Sequence, residues 1–147
     1  MMPRMIFVNL PVADLDRSIA FYKAIDAEQN LQFTDETAAM MVFSDAIHVM
    51  LLTHDKFRQF TTKRIADSHE TVQVLLALSC EDREGVDDVT ERALAAGGRE
   101  AREKEDHGWM YGRAFEDPDG HTWEPMWMDV AAATEAVAQP AGVGPGA

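Results

Sequence analysis

Two periodicities alternate along the chain. Met5-Ile6-Phe7-Val8-Asn9-Leu10-Pro11-Val12 is apolar on both faces and reads as a strand. Beyond Asp14 or Asp16, either of which can cap a helix, Leu15, Ile19, Tyr22 and Ile25 recur at helical spacing. A strand meander is expected from Leu31 to Thr34, then Ala38 to Phe43, a turn at Ser44-Asp45-Ala46, and Ile47 to Thr53. Residues 54–70 lose the apolar pattern and hold Lys56, Arg58, Lys63 and Arg64; they read as a linker or lid with a short helix around Asp55 to Phe60. The order then repeats. Thr71 to Cys80 is a strand, Glu81-Asp82 opens a helix with Val86, Val89, Ala93 and Ala96 inward, and Gly97-Gly98 ends it. Arg99 to Lys104 is a polar edge strand, and two aromatic-rich strands close the pattern.

Those last strands flank Asp117-Pro118-Asp119-Gly120, a turn in which Pro118 presets φ and Gly120 accepts a positive φ, so Met110–Glu116 and Thr122–Met128 form a hairpin. Alternation puts Glu124, Met126 and Met128 on one face and Trp123, Pro125 and Trp127 on the other, against the helices. A carboxylate in an otherwise apolar strand makes Glu124 the residue that most needs a role. The chain thus divides into one domain, residues 1–129, with modules at 5–53 and 71–129 joined by 54–70, and an Ala/Gly/Pro-rich tail at 130–147 that is expected to be a short helical continuation followed by disorder. Each module is strand–helix–three strands. Overlaid, Phe7 falls on Leu75 and Met50 on Glu124, the second half carrying a longer middle. Neither half has enough strands to cover both faces of its sheet, so the modules are expected to pair within the chain or across a homodimer.

Composition narrows the function. A net charge of −13 opposes nucleic acid, which needs clustered Lys and Arg, and leaves room for a cationic ligand. The only cysteine, Cys80, lies in an apolar run and reads as an inert buried thiol. There is no leader-like segment and no apolar run long enough to span a membrane, so a soluble cytoplasmic protein is expected.

The βαβββ repeat, the Val-x-Asp-Leu-Asp-Arg-Ser-x-x-Phe-Tyr opening at Val12 to Tyr22 and the Asp-Pro-Asp-Gly-His-x-Trp-Glu ending at Asp117 to Glu124 resemble the vicinal oxygen chelate superfamily over roughly residues 5 to 129. That superfamily includes glyoxalase I, extradiol dioxygenases, fosfomycin-resistance thiol transferases and bleomycin-resistance proteins. The ending also resembles small glyoxalase-related proteins labelled predicted lactoylglutathione lyases. The resemblance implies an α+β fold, two βαβββ modules forming a cupped, mostly antiparallel sheet. It also implies a small-molecule site inside the cup and, in the metal enzymes, four ligands on the first and last strand of each module.

Carried onto this chain, those four positions are Phe7, Met50, Leu75 and Glu124. Phe7 and Leu75 cannot ligate, and a thioether is a poor ligand for Zn²⁺, Ni²⁺ or Fe²⁺, so no metal site and no cofactor is expected, with Glu124 the one ligand position retained. The expected cup is lined by Phe7, Asn9, His48, Met50, Leu75 and Met126 around Glu124, a mostly apolar pocket with few polar groups. Glu124 would be a general acid or base there, or a vestigial carboxylate bonded to Asn9, His48 or water. Arg113 would bind an anionic group if its face of the hairpin turns inward, and would otherwise pair with Glu116 or Asp117. Trp123 and Trp127 are expected to pack on helices, His54, His69 and His107 to be solvated, and His121 to serve its turn. Two functions follow: a ligand-sequestering protein of the bleomycin-resistance kind, or a glyoxalase-related lyase moving a proton through Glu124.

Overall fold

The structure, a computed structural model describing residues 3–138, contains the expected repeat. Module one is β1 (Ile6–Val12), α1 (Leu15–Ala24), β2 (Glu28–Asn30), β3 (Ala38–Val42) and β4 (Ile47–Thr53). A turn of helix α2 (His54–Phe57) and a 3₁₀ turn (Arg58–Phe60) open the connection. Module two is β5 (Leu76–Ser79), α3 (Arg83–Ala95), β6 (Arg99–Asp106), β7 (Met110–Glu116) and β8 (Thr122–Met128), followed by α4 (Val130–Ala138). The tail is helical as far as Ala138, as the expected short continuation; the expected disorder falls on residues 139–147, which lie outside the described residues.

The modules form two four-stranded sheets, ordered β1-β4-β3-β2 and β5-β8-β7-β6. In each, the first and last strands pair in parallel and the remaining pairs are antiparallel. The internal repeat survives at the level of register: Asn9 lies opposite Met50 as Ala77 lies opposite Glu124. Pro125 sits in the middle of β8, where a missing N–H would normally disfavour a strand. Accordingly the β7–β8 ladder skips the residues opposite Glu124 and Pro125 and resumes at Gly112–Met126.

Asp14 and Asp82 cap α1 and α3 by accepting from the backbone N–H of Arg17 and Gly85. Two strands differ from expectation. The first meander strand is Glu28–Asn30, not Leu31 to Thr34: Asn30 Oδ1 accepts from Gln32 N at 3.0 Å and turns the chain into a 3₁₀ turn over Leu31–Phe33. The fifth strand begins at Leu76 rather than Thr71. Its partner β8 starts at Thr122, just past the hairpin turn, so residues 71–74 run beyond it with no strand to pair with.

The core lies between the sheets' helix-facing sides. Val8, Leu10 and Val12 of β1, Val49 and Leu51 of β4, Phe21, Tyr22 and Ile25 around α1, and Ala93, Phe115 and Trp123 of module two form one cluster. At its centre Tyr22, Phe43 and Trp123 pack edge-on or tilted, with centroids 5.5–6.4 Å apart. A polar chain threads it: Trp123 Nε1 donates to Tyr22 Oη at 2.9 Å, and Tyr22 Oη donates to Asp117 Oδ2 at 2.6 Å. Asp117 Oδ1 accepts from the N–H of Asp119 and of His121, closing the hairpin turn. The turn also reaches into module one, where Asp119 Oδ1 accepts from Ala13 N at 2.8 Å and His121 Nε2 donates to the Pro11 carbonyl at 2.8 Å. Asp-Pro-Asp-Gly-His is thus a joint between modules as well as a turn. No helix among the described residues is long and apolar enough to cross a membrane.

Candidate functional site

The residues of interest lie on the sheet faces turned away from the core. On β1 these are Phe7, Asn9 and Pro11, and on β4 His48, Met50 and Leu52, paired in that order across the parallel ladder. On β8 they are Glu124, Met126 and Met128, next to Ala77 and Ser79 of β5. The strand alternation is as the sequence implies. Phe7 stacks on His48 with centroids 4.6 Å apart and planes inclined by 18°. His48 is buried beneath it, with no partner for Nδ1 among the described residues. Asn9 is exposed and reaches only the Phe7 carbonyl, at 3.4 Å.

Glu124 is not a lone carboxylate. Arg102 of β6 reaches across β7, its Nη2 donating to Glu124 Oε2 at 2.8 Å, while Nη1 stands 3.3 Å from Glu105. The Glu124 side chain is 20% exposed and that of Arg102 39%, so the carboxylate is the deeper partner. An ion pair this open stabilises the fold by about 0.2–1 kcal/mol. Its interest lies in what it places on the apolar face beside Met126.

Arg113 is a correction. It faces the helices and not the cup, nine-tenths buried, and donates to Asp87 and Glu91 of α3 and Glu100 of β6 rather than pairing with Glu116 or Asp117. Burial alone would lower the Arg113 pKa, but Glu100, Glu91 and Asp87 together hold it above its ordinary value. Burial also pushes the neighbouring Tyr111 phenol up to about 12, with Asp87 as its hydrogen-bond partner at 2.6 Å. The sequence holds the cue for this placement. Phe115 lies opposite Trp123 across the hairpin, so Arg113, two residues back, shares the face of Trp123.

Arg102 is the residue that sequence reading misses. An all-polar strand offers no apolar alternation to show which side chains turn inward. Two register shifts between Glu100 and Glu105 also break the period-two count. Leu75 is a second correction. It precedes β5 and is 56% exposed, so it lines no pocket in a single chain.

The remaining expectations meet mixed outcomes. Trp123 is buried in the core, and Trp127 lies half-buried under the guanidinium of Arg83, the first residue of α3, 5.4 Å from it. Cys80 is half-buried and its thiol is pushed up by desolvation, as an inert cysteine should be. His121 does serve its turn, and it also ties the turn to Pro11.

The four positions that the resemblance implied as metal ligands, Phe7, Met50, Leu75 and Glu124, offer one carboxylate and one thioether, and the carboxylate is engaged by a guanidinium. Among the described residues no three His, Cys, Asp or Glu side chains converge on a point that could hold an ion. This donor set does not fit Zn²⁺, Ni²⁺ or Fe²⁺. Protein dialysed against each of these ions and then against metal-free buffer is expected to retain far less than one equivalent by inductively coupled plasma mass spectrometry. Near-stoichiometric retention would overturn this reading of Phe7, Met50 and Leu75.

Comparison with known proteins bears on the fold and the family. Solved structures with the same fold include a hypothetical protein from S. aureus, with 25% identity and a TM-score of 0.72 over 86% of this chain and 95% of the other. A glyoxalase-related enzyme from Fulvimarina pelagi is similar at 19% identity and TM-score 0.72, covering 86% and 88%. A fosfomycin resistance protein from Listeria monocytogenes is similar at 22% identity and TM-score 0.61, covering 86% and 92%. No curated protein matches the chain. The family model for the Glyoxalase/Bleomycin resistance protein/Dioxygenase superfamily matches residues 4–124, most of the chain, and the chain belongs to that superfamily.

Proposed function

We propose that this protein binds a small cationic molecule with an apolar body on the inner faces of its sheets, using Glu124 as the counter-ion. The observation that carries this reading is the Arg102–Glu124 pair beside Met126 and Met128: a carboxylate held ready on an apolar surface by a guanidinium that is more exposed than it is. Arg102 has a second acceptor in Glu105. A ligand ammonium can therefore take its place on Glu124 while Arg102 stays paired, so neither charge is left without a partner. The net charge of −13 favours approach of a cation, and membership of a superfamily that takes its name partly from bleomycin resistance supports sequestration as the role.

The cup is completed by a second copy of the chain. On a single chain the sheet edges at β1 and before β5 leave Ile6, Phe7 and Leu75 43–56% exposed, next to the inner faces. Covering them would close the pocket around Glu124.

The test is isothermal titration calorimetry with bleomycin and other cationic antibiotics on the parent protein, Glu124→Gln and Arg102→Ala, alongside sedimentation equilibrium. A dimer is expected, with saturable binding that weakens about tenfold in Glu124→Gln, the loss of one charge-assisted contact. Binding should be unchanged or tighter in Arg102→Ala, where the competing cation is gone. Affinity that survives Glu124→Gln undiminished would sink the counter-ion role. Turnover of methylglyoxal–glutathione hemithioacetal by the parent that disappears in Glu124→Gln would replace sequestration with proton transfer by Glu124.

A further inference from the structure

A recess lies at the seam where the hairpin turn meets α1, meeting the inner-face residues only at Pro11. It encloses about 870 Å³, within the usual range for a small-molecule site. Its floor is the start of α1 and the turn at Pro118 and Asp119, and its wall is the chain from Thr61 to His69. Glu124 and Arg102 take no part in it.

Its charge is opposite to that of the chain. Arg17, Arg58, Lys63 and Arg64 line it, against two carboxylates, Asp67 and Asp119. Both carboxylates serve the fold. Asp119 accepts from Ala13 N and from Ser18 Oγ and stands 3.5 Å from Arg17 Nη2, while Asp67 Oδ1 accepts from His69 N at 3.0 Å. Arg58 pairs with Asp55 at 2.8 Å. Lys63 and Arg64 are exposed and have no ion-pair partner among the described residues. A strongly acidic chain that gathers unpaired cations around one hollow makes that hollow selective for anions. The acidity elsewhere is screened over roughly 8–10 Å, whereas these cations stand in the hollow itself.

The arrangement also indicates which anion. A lone carboxylate is satisfied by one guanidinium fork, whereas two unpaired cations, Lys63 and Arg64, with the paired Arg17 and Arg58 in the same lining, suit a group with charge on several oxygens pointing different ways. Hydroxyl groups of Thr61, Thr62 and Ser68 in the same lining supply neutral donors. A nucleic acid would extend past the recess onto the acidic surface and be repelled there. We propose that this recess is a binding site for a phosphate-bearing small molecule, independent of whatever occupies the inner sheet faces.

The probe is inorganic pyrophosphate, titrated calorimetrically into the full chain in metal-free buffer at low salt. The variants are the double substitution Lys63→Ala/Arg64→Ala and, as a control, Lys23→Ala, a cation on the last turn of α1 outside the recess. The exposed, unpaired positions of Lys63 and Arg64 make the double variant safe to fold, which a melting curve checks. The expected result is one saturable site, weakened about tenfold or more by the double substitution and unaffected by Lys23→Ala. Absence of saturable binding, or equal affinity in the double variant, would overturn the site. Equal affinity for citrate would overturn the phosphate assignment. Binding lost in Arg102→Ala but kept in the double variant would move the anion to the inner sheet faces and also overturn it.

Discussion

Gly120→Ala is expected to destabilise the protein by about 3 kcal/mol, a fall of roughly 10 °C in melting temperature for a domain of this size. Two effects combine. Gly120 has φ +89°, a conformation that costs an L-residue about 1–3 kcal/mol. A Cβ there would also lie 2.6–2.7 Å from the backbone of Ser68 and His69, atoms that cannot swing aside as a side chain would. The hairpin turn is pressed directly against the connection between modules, so the substitution strains the turn and displaces the recess wall together. Gly97 separates the two effects. Its φ is +106°, but a Cβ there meets nothing within 4 Å, so Gly97→Ala pays the conformational term alone, about 1 kcal/mol. Urea melts of the two variants measure the difference. Equal losses would show that the contact with Ser68 and His69 carries no energy.

The turn illustrates how far the sequence could be read. Asp-Pro-Asp-Gly announces a reversal through its own backbone preferences, and the alternation after it separates Glu124 from Trp123 with no tertiary information. What local chemistry does not carry is the turn's second set of partners. Asp119 on Ala13, His121 on Pro11 and Gly120 against Ser68 depend on segments more than fifty residues away. The same divide runs through the site. Phe7, Asn9, His48, Met50, Glu124 and Met126 fall on the expected faces because successive side chains of an extended strand point to opposite sides. Arg102 was hidden because Arg99–Asp106 is polar throughout and shifts register twice, so only its pairing with β7 reveals its face. Arg113 was legible in principle, since counting back from the turn places it with Trp123; the count fails only if its strand is read without its partner.

That β7–β8 face also carries the second large effect. Trp123→Ala is expected to cost about 4 kcal/mol, the range for emptying a buried aromatic site. Trp123 is 3% exposed, wedged between Tyr22 and Phe43 of the other module, and its indole N–H is the first donor in the chain that runs through Tyr22 to Asp117. Removing the ring opens a cavity at the joint and takes from the Tyr22 hydroxyl its only donor among the described residues. Tyr22→Phe tests the polar part alone. It leaves the rings packed but strips Asp117 of a 2.6 Å hydrogen bond and strands the Trp123 N–H, a loss of about 1–3 kcal/mol. Because both substitutions break one connected network, Trp123→Phe and Tyr22→Phe together should cost less than the sum of the two alone, by about 0.5–3 kcal/mol. A double-mutant cycle in urea, followed by fluorescence and circular dichroism, measures that shortfall. The shared joint further requires a single transition by both probes, because neither module keeps its core without the other's aromatic rings. Additive losses with two separated transitions would mean that each module is stabilised from within and that the Trp123–Tyr22–Asp117 chain only decorates their contact.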